Sequence, residues 1–478
     1  MWQRFSFVPM SRILFFLFFL ISFQALFCQS DKFRYDTDLL TKEFHAGRRD
    51  ALRALMPDSS VAVFFANPER NRSNDVDYQY SQDPDFYYLS GYPEPNAVLF
   101  IFKEKVQIDS FFTNELIFVQ ERNAYRESWN GRRLGTEGVK KELGFRQVLL
   151  NTQFADISMG FQRFHKIYCV EPKDDIRDDK NDRGDLFSLV KHFRTKTVAC
   201  KTKDSYNLIQ LMGALREVKT PEEMNLLRKA IRISCESHAA LMHSLDTTMT
   251  EFQAQAIIEY GFKSRGSEYP GYPSIVGAGE NSCILHYIEN RRHFKNNDIL
   301  VLDAGAEYHG YTADITRSLP VNGHFSAEQR LIYDIVYDAQ TAGINVCTEG
   351  NEFRAAHKAA FAVVSKRLKE LGIIKNEVEA MKYFFHGTSH YLGLDVHDAG
   401  LYGKLKAGNV ITVEPGIYIP EGSDCDKKWW NIGVRIEDDI LITNGKPENL
   451  SASLPSKAEE IERIMKEKRN FPISPAEK

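Results

Sequence analysis

The sequence predicts an α/β N-terminal domain followed by a C-terminal α+β domain that begins with helices and ends in strands. Strand-like and helix-like segments alternate from about residue 39 to residue 211, which is the order expected of an α/β domain. Strong helix-start signals then follow at Thr220, Thr250 and Ser326. After a last long helix the chain turns to glycine-rich loops and strands up to about Asn444. With 478 residues, the chain is long enough for two or three domains.

Residues 1–30 have the pattern of a signal peptide. Two arginines precede a short apolar run at Ile13–Ile21, and small residues follow it. The run is too short for a membrane span, which needs about 20 residues. We therefore expect an exported protein, periplasmic or secreted, whose mature chain begins near Gln29 or Asp31. The alternative is a membrane anchor formed by an uncleaved N-terminus.

The composition is that of an ordinary globular protein. Hydrophobic residues make up 43% and charged residues 26% of the chain, and the net charge is -4. This charge gives no reason to expect nucleic acid as a partner. The cysteines beyond the predicted signal show no CxxC spacing, so we expect buried free thiols at Cys169, Cys200, Cys235, Cys283, Cys347 and Cys425.

The N-terminal domain is predicted to span residues 31–211. Its first helix is expected at Leu39–Leu55, where apolar residues recur at helical spacing. Runs of strand-forming residues predict four strands, at Val61–Ala66, Phe86–Leu89, Ala97–Phe102 and Leu116–Gln120. Near the end of this domain, Asp174–Asp185 reads as a charged surface loop.

The C-terminal domain is predicted to span residues 215–478. Each of its first three helices is preceded by a capping box, in which a Ser or Thr is followed three residues later by Glu or Gln. The boxes are Thr220 with Glu223, Thr250 with Gln253, and Ser326 with Gln329. Further helices are predicted at Phe353–Leu371 and from about Lys457.

The most informative stretch is Ile299–Arg317, which contains two aspartates, Asp303 and Asp314. Asp303 ends an apolar run typical of a buried strand, and His309-Gly310 offers a two-residue hairpin turn. Such a turn pairs Tyr308 with Tyr311, and Asp303 with Thr316. Side chains alternate along a strand, so both aspartates then share one face as diagonal neighbours roughly 7 Å apart at Cβ. Both could reach the same ion or two adjacent ions, whereas two solvated loop aspartates remain the alternative.

Three later stretches carry further ligand-type residues. His386–Asp398 contains His386, His390 and His397. Glu414 ends an apolar strand just before Pro415-Gly416, the same arrangement as at Asp303. In Gly433–Ile442, Arg435 and Glu437 share one strand face, so we expect the guanidinium to orient the Glu437 carboxylate.

Together these residues predict a metal site. Four carboxylates lie on or at the ends of predicted strands, and His390 is the best imidazole candidate: the set is Asp303, Asp314, Glu414, Glu437 and His390. Oxygen-rich donors suit hard divalent ions such as Mn²⁺. Four neighbouring carboxylates would repel one another, so two ions would balance the charge and hold an activated water.

These motifs resemble the aminopeptidase P branch of the "pita-bread" metallopeptidases, whose relatives include prolidase and methionine aminopeptidase. The similarity extends over nearly the whole mature chain, with the signal segment as the main departure. The five ligand positions of the family fall on LDAG (Asp303), TADITR (Asp314), GTSHYLG (His390), TVEPG (Glu414) and RIEDD (Glu437). The resemblance implies a pita-bread catalytic domain and a dinuclear centre, most often of manganese. In it Asp314 and Glu437 bridge both ions, Asp303 completes one site, and His390 and Glu414 complete the other.

The resemblance also implies roles for three other histidines. His286, in CILHY, matches a residue that contacts substrate near the scissile bond, although alone it would read as a core histidine. His397, in DVHD, matches one that stabilises the tetrahedral intermediate, and His386 matches one that lines the proline-side pocket. Imidazoles can donate to an oxyanion or pass a proton to a leaving nitrogen.

The N-terminal half supports the same branch through DPDFYYLSGYPEPNAVL (Asp83–Leu99) and RESWNGRRLG (Arg126–Gly135). In the relatives this domain forms the subunit interface and helps enclose the active site. The resemblance therefore implies a homo-oligomer, a dimer or tetramer, in which Trp129 reaches a neighbouring subunit's site. A packing role within its own domain is the alternative for Trp129.

The resemblance implies an Xaa-Pro aminopeptidase, which removes an N-terminal residue when proline follows. A hydroxide bridging the two metal ions attacks the carbonyl of the first residue, and Glu414 is the candidate proton acceptor. Prolidase, which shares every ligand but cleaves Xaa-Pro dipeptides, is the nearest alternative. A non-enzymatic pita-bread binding module is the other, and the unsubstituted set of five ligands argues against it.

Overall fold

The computed structural model describes residues 36–173, 176–200 and 203–468. The predicted signal peptide lies outside the described residues, as do Asp174 and Asp175 of the predicted charged loop. Contacts within the chain define one unit that starts at Leu40, and the description below concerns that unit. Of the helices described, none combines the length and the apolar character that a membrane crossing requires.

A six-stranded mixed sheet organises the N-terminal half. The helices of this half are α1 (Lys42–Leu55), α2 (Pro84–Ser90), α3 (Ala124–Asn130), α4 (Gly135–Leu143), α5 (Leu186–Lys196) and α6 (Ser205–Arg216). The strands are β1 (Ser60–Phe65), β2 (Asn71–Ser73), β3 (Val76–Asp77), β4 (Val98–Ile108), β5 (Phe111–Val119), β6 (Val148–Leu150), β7 (Lys166–Cys169) and β8 (Lys203–Asp204). The sheet order is β6-β5-β4-β1-β7-β8, and β2 pairs separately with β3. Every residue of the central strand β1 is buried, as its apolar sequence predicts.

One predicted strand of this half is wrong. Phe86–Leu89 lies in helix α2, because the chain around it carries complete helix-end signals. The Asp83 side chain accepts a hydrogen bond from the Phe86 N–H, Pro84 occupies the first turn, and Gly91 ends the helix with φ at 68°. These local hydrogen bonds outweigh the strand preference of a short aromatic run.

Helices surround several small sheets in the C-terminal half. The helices are α7 (Pro221–Ser244), α8 (Glu251–Ser264), α9 (Ala327–Asn345), α10 (Ala355–Glu370) and α11 (Ala458–Lys466). The strands are β9 (Tyr269–Pro270), β10 (Ile275–Ala278), β11 (Ile299–Asp303), β12 (Ala306–Tyr308), β13 (Tyr311–Thr312), β14 (Thr316–Pro320), β15 (Val410–Val413), β16 (Gly416–Ile419), β17 (Ile432–Arg435), β18 (Asp438–Leu441) and β19 (Glu448–Asn449). Their sheets have the orders β10-β11-β14, β13-β12-β9, β15-β18-β19 and β16-β17.

The three predicted capping boxes are confirmed. The side chains of Thr220, Thr250 and Ser326 each accept a hydrogen bond from the backbone N–H three residues on. The side chain of the Glu or Gln at that position accepts one from the backbone N–H of the capping residue. These reciprocal bonds satisfy N–H groups that a helix leaves free at its start. Helices α7, α8 and α9 therefore begin where the sequence predicts.

One hydrophobic cluster extends across the two halves. A single buried cluster contains Phe44 and Leu99 from the first half, and Leu226 and Ile436 from the second. The predicted break between residues 211 and 215 lies within α6, and Glu217–Thr220 connects that helix to α7. This connection is buried except at Val218 and Thr220, which are half-buried. Among the described residues, the six cysteines are free thiols, of which Cys169, Cys235 and Cys347 are buried and the other three half-buried.

Candidate metal centre and active site

The hairpin that carries the two aspartates has the predicted register. Asp303 pairs with Thr316 and Tyr308 pairs with Tyr311. His309 and Gly310 form the turn, with φ of 50° and 84°, as a two-residue hairpin turn of this type requires. The strand that ends at Asp303 is buried throughout. The hairpin therefore holds two carboxylates at a fixed spacing inside the core.

Tyr272 shows that the two aspartates converge. Its hydroxyl lies 2.6 Å from an oxygen of Asp303 and 2.5 Å from an oxygen of Asp314. Strand β9 pairs with β12, which brings the segment that ends in Tyr272 beside the hairpin. No motif marks this tyrosine in the sequence, because its role depends on that pairing. It is a functional candidate that the sequence interpretation missed.

His390 and Glu414 approach the same point from the other side. His390 Nε2 lies 3.3 Å from Asp314 Oδ2 and 3.6 Å from Glu414 Oε1. The Nδ1 atom of His390 lies 3.0 Å from the carbonyl oxygen of Tyr391 and donates to it. The ring is therefore held with Nε2 directed at the carboxylates. Such a second hydrogen bond is the usual way in which proteins orient a histidine ligand.

Glu437 is the last member of the cluster, and the contacts of its two carboxylate oxygens indicate whether a cation would fit there. One carboxylate oxygen accepts a 2.6 Å hydrogen bond from the Thr316 hydroxyl. The other is buried and has no hydrogen-bond partner. Possible ligand atoms of Asp314, His390 and Glu437 lie within 4.8 Å of one another. A buried carboxylate oxygen without a donor is costly, and a divalent cation held by these residues would remove that cost.

The electrostatics support the same conclusion. Burial, together with repulsion from Asp303, raises the pKa of Asp314. Burial raises the pKa of Glu414 to about 7 and places that of Glu437 well above its usual range. Burial disfavours a charged His390, but the Asp314 hydrogen bond and the charge of Glu414 outweigh it and raise the pKa of His390 to about 9. The cluster thus attracts protons, as expected of anions gathered around a place for positive charge.

Arg435 contacts a different carboxylate from the one expected. Its Nη2 donates to Asp303 Oδ2 at 2.6 Å, so the acid that it orients is Asp303, and the expectation of Glu437 is wrong. The alternation of side chains fails here because the chain leaves β17 after Arg435 and enters β18 at Asp438. Glu437 lies in the connection between two sheets, where a period of two no longer holds.

The three non-ligand histidines border the cluster. His397 is exposed, and its ring centroid lies 4.3 Å from that of His390. His386 Nδ1 lies 3.8 Å from Glu414 Oε2. His286 is exposed, and its charge is among the causes that lower the pKa of both His386 and His397, after the larger effect of burial. His386 and His397 therefore lie beside the proposed ligands Glu414 and His390.

Hydrogen bonds define the protonation of His386. The Gly387 carbonyl can only accept, so His386 Nδ1, which lies 2.6 Å away, carries a proton and donates to it. Arg435 Nη1 donates to the Tyr418 hydroxyl at 3.0 Å, and that hydroxyl donates in turn to the unprotonated Nε2 of the neutral ring, also at 3.0 Å. Burial and the nearby Arg435 charge lower the pKa of His386 to about 4. The imidazole is therefore neutral at physiological pH.

Trp129 lies apart from these residues, in helix α3 of the N-terminal half. Its side chain is 74% exposed, and its ring lies 6.2 Å from that of Tyr125, which is also exposed. This exposure argues against the alternative of a packing residue within its own domain.

Comparisons with known proteins place both halves of the chain in the same family. The model of Metallopeptidase family M24 matches residues 225–444, and that of the aminopeptidase P N-terminal domain matches residues 45–167. The Xaa-Pro aminopeptidase of Escherichia coli strain K12 is 36% identical over 445 residues, which cover 90% of this chain and 98% of that protein.

Solved structures give the same result. Proline aminopeptidase P II from Yersinia pestis is 35% identical with a TM-score of 0.79, over 89% of this chain and all of that chain (100%). Aminopeptidase PepP from Pseudomonas aeruginosa is 33% identical with a TM-score of 0.80, over 90% of this chain and 99% of that chain. The predicted fold class, an α/β N-terminal domain with a C-terminal α+β pita-bread domain, is thereby confirmed. The chain belongs to the aminopeptidase P group of metallopeptidase family M24.

Proposed function

We propose that this protein is a metal-dependent Xaa-Pro aminopeptidase, which releases the first residue of peptides with proline in second position. The observation that carries the proposal is the convergence of Asp303, Asp314, His390, Glu414 and Glu437, with a buried oxygen of Glu437 that lacks a partner. The name of the Escherichia coli relative supports the substrate class.

We assign these five residues as ligands of two divalent ions, and propose manganese. Four carboxylates and one imidazole are a donor set that hard ions prefer over soft ones. When bound, such ions polarise a carbonyl and make water a nucleophile at neutral pH. Arg435 and Tyr272 hold the carboxylates of Asp303 and Asp314 in place for this purpose.

The remaining side chains suit proton transfer and substrate orientation. Glu414, whose Oε1 lies 3.6 Å from His390 Nε2 within the cluster, can take a proton from the attacking water and return it to the leaving proline nitrogen. His397 and His286 can donate to the oxyanion that forms at the scissile carbonyl. Neutral His386, fixed by Tyr418, offers a rigid wall on the proline side.

Three further features belong to the proposal. The protein is exported, on the evidence of its N-terminal sequence. It forms a homo-oligomer, a dimer or a tetramer, and Trp129 lies at the interface, where its exposed ring could reach a partner's site. Its net charge of -4 gives no basis for a nucleic-acid partner.

Peptide length separates this proposal from prolidase. The mature protein, loaded with Mn²⁺, should cleave Xaa-Pro-Yaa peptides with higher kcat/KM than Xaa-Pro dipeptides, and Xaa-Ala-Yaa peptides poorly. Turnover of Xaa-Pro dipeptides alone would replace the proposal with prolidase. Absence of any turnover, with metal bound, would favour a non-enzymatic binding module.

A further inference from the structure

A cluster of charges with a buried centre lies behind the loop that carries His397. Its members come from three parts of the chain: Asp85 from helix α2, Arg216 and Lys219 from the end of α6 and the connection that follows it, and Asp395 and Asp398 from the loop itself. We refer to these five residues as the Arg216 cluster. None of them is among the proposed metal ligands.

Arg216 connects all three carboxylates. Its Nη1 donates to Asp85 Oδ1 at 2.6 Å, and its Nη2 donates to Asp395 Oδ2 at 3.2 Å and also to Asp398 Oδ1. The side chain of Arg216 is 4% exposed. A buried guanidinium needs such partners, and its fork of donors suits carboxylates from different directions.

Lys219 secures the other oxygen of Asp398. Its Nζ donates to Asp398 Oδ2 at 2.7 Å, and both side chains are 1% exposed. Burial disfavours the charged Asp398, but the charges of Arg216 and Lys219 outweigh it and keep its pKa below the usual range. Asp398 is thus a buried anion held on both oxygens.

The backbone of the loop is closed around this anion. The Asp398 N–H donates to the Tyr391 carbonyl at 2.9 Å, so the loop returns to the residue next to His390. A Cβ at Gly393 would come within 2.2 Å of Asp398 Oδ2. Only glycine therefore lets the carboxylate reach this position, and the loop conformation and the place of Asp398 depend on each other.

The connection between the halves binds the same loop further along. Glu217 accepts hydrogen bonds from the Leu401 N–H at 3.0 Å and, through its backbone carbonyl, from the Asn409 side chain at 2.8 Å. Lys219 N–H donates to the Gly408 carbonyl at 2.9 Å. The loop is therefore held along its length by a segment that is itself ion-paired to the N-terminal half.

His397 has no such support of its own. It is exposed, directly precedes Asp398, and faces the ring of His390. We propose that Arg216 is a positioning residue for His397. Through Asp395 and Asp398, on either side of the histidine, it holds the imidazole over the cluster of carboxylates. Through Asp85 it makes that position depend on the N-terminal half.

The part of this inference that concerns the reaction rate rests on the proposed function. The first test, amide hydrogen exchange, does not depend on enzyme activity. Arg216→Lys, which keeps the charge but not the fork of donors, should increase amide hydrogen exchange in residues 391–398. Arg49→Gln is the control, because Arg49 is equally buried and bonds Glu115 at 2.9 Å and 3.2 Å in the N-terminal half. Unchanged exchange at 391–398 in Arg216→Lys would overturn the inference, whether or not the protein is active.

The kinetic readout is a double-mutant cycle with His397→Ala. Arg216→Lys should lower kcat on an Xaa-Pro-Yaa peptide by about 10- to 100-fold with little change in KM, since a small misplacement costs this much. In the His397→Ala background the same substitution should cost less than about twofold, because the group that it positions is gone. Equal losses in both backgrounds would show a structural role only and overturn the inference.

Asp395→Asn provides a second test that remains valid if Arg216→Lys does not fold. The Asp395 side chain is 50% exposed, so its replacement removes an ion pair at little structural cost. It should lower kcat in the same His397-dependent way as Arg216→Lys, whereas Arg49→Gln should lower the melting temperature and leave kcat unchanged. A loss of kcat in Asp395→Asn that persists without His397 would contradict the proposal.

Discussion

At the scale of single residues, the contacts of Glu437 are the clearest sign that the site requires a cation. Thr316 satisfies one oxygen and nothing satisfies the other, while burial raises the pKa of the carboxyl well above its usual range. A residue in this environment destabilises the metal-free fold and becomes stabilising only when a cation is bound. Its role can therefore be separated from its effect on folding.

We predict that Glu437→Gln abolishes peptidase activity while the metal-free protein stays at least as stable as the original. The amide removes a negative charge from a cluster of carboxylates that repel one another, so the metal-free protein should become more stable. The additional stabilisation that metal binding gives should be lost. Activity, elemental analysis and thermal melting with and without Mn²⁺ measure these effects. An active variant with its full metal content would contradict the ligand assignment.

His45 gives a prediction about pH. Its Nδ1 donates to the Tyr88 carbonyl at 3.0 Å, and burial lowers its pKa from 6.5 to about 4. As the pH falls from about 6.5 towards 4, His45 binds a proton in the unfolded chain but not in the folded protein. The free energy of unfolding therefore decreases as the pH falls. The loss between pH 7.5 and pH 5 should be about 2 kcal/mol from this group.

Urea unfolding of the protein and of His45→Gln at these two pH values measures the difference. The variant should lose less stability on acidification than the original. Parallel losses in the two proteins would show that His45 is not the group responsible.

At the scale of elements, the turn of the metal-site hairpin has a strict backbone requirement. Gly310 has a φ of 84°, and a Cβ there would come within 3.1 Å of Leu394. We predict that Gly310→Ala lowers stability by about 1–2 kcal/mol and also weakens metal binding, because the turn sets the register of Asp303 and Asp314. Metal titration and thermal unfolding measure the two effects.

Gly350 provides the matched control. Its φ is 86°, and a Cβ there would meet nothing within 4 Å. Gly350→Ala therefore introduces the same backbone strain away from the hairpin, and should lower stability without weakening metal binding. Equal metal affinity in both variants would remove the link between the turn and the site.

At the scale of the whole molecule, the proposed oligomer predicts complementation between subunits. Trp129→Ala should lower activity without lowering the melting temperature, because the ring is 74% exposed and adds little to its own fold. A mixture of Trp129→Ala with Glu437→Gln, refolded together, should regain activity if each subunit completes its partner's site. Light scattering gives the oligomeric state, and a monomeric protein would refute the proposal.

The proposed export predicts a shortened mature chain. Expression in a bacterial host should yield a periplasmic or secreted form whose intact mass corresponds to an N-terminus near Gln29 or Asp31, since short apolar runs after arginines are cleaved on export. A full-length protein in the membrane fraction would favour the uncleaved anchor.

The sequence by itself determined those features that depend on neighbours along the chain. The register of the hairpin between Asp303 and Thr316 follows from a period of two and a glycine turn, and the starts of three helices follow from side chains that cap backbone groups three residues away. Helix α2 depends on equally local signals at Asp83 and Gly91, which the aromatic content of the segment obscured.

Only the tertiary structure decided which distant groups meet. Tyr272 reaches Asp303 across 31 positions and Arg435 reaches it across 132, and neither pairing has a sequence signal. Arg216 and Asp398, separated by 182 positions, meet because two halves of the chain pack over one core. Periodicity and capping act over a few residues, whereas these contacts depend on how the β-sheets and helices pack, which no short stretch of sequence specifies.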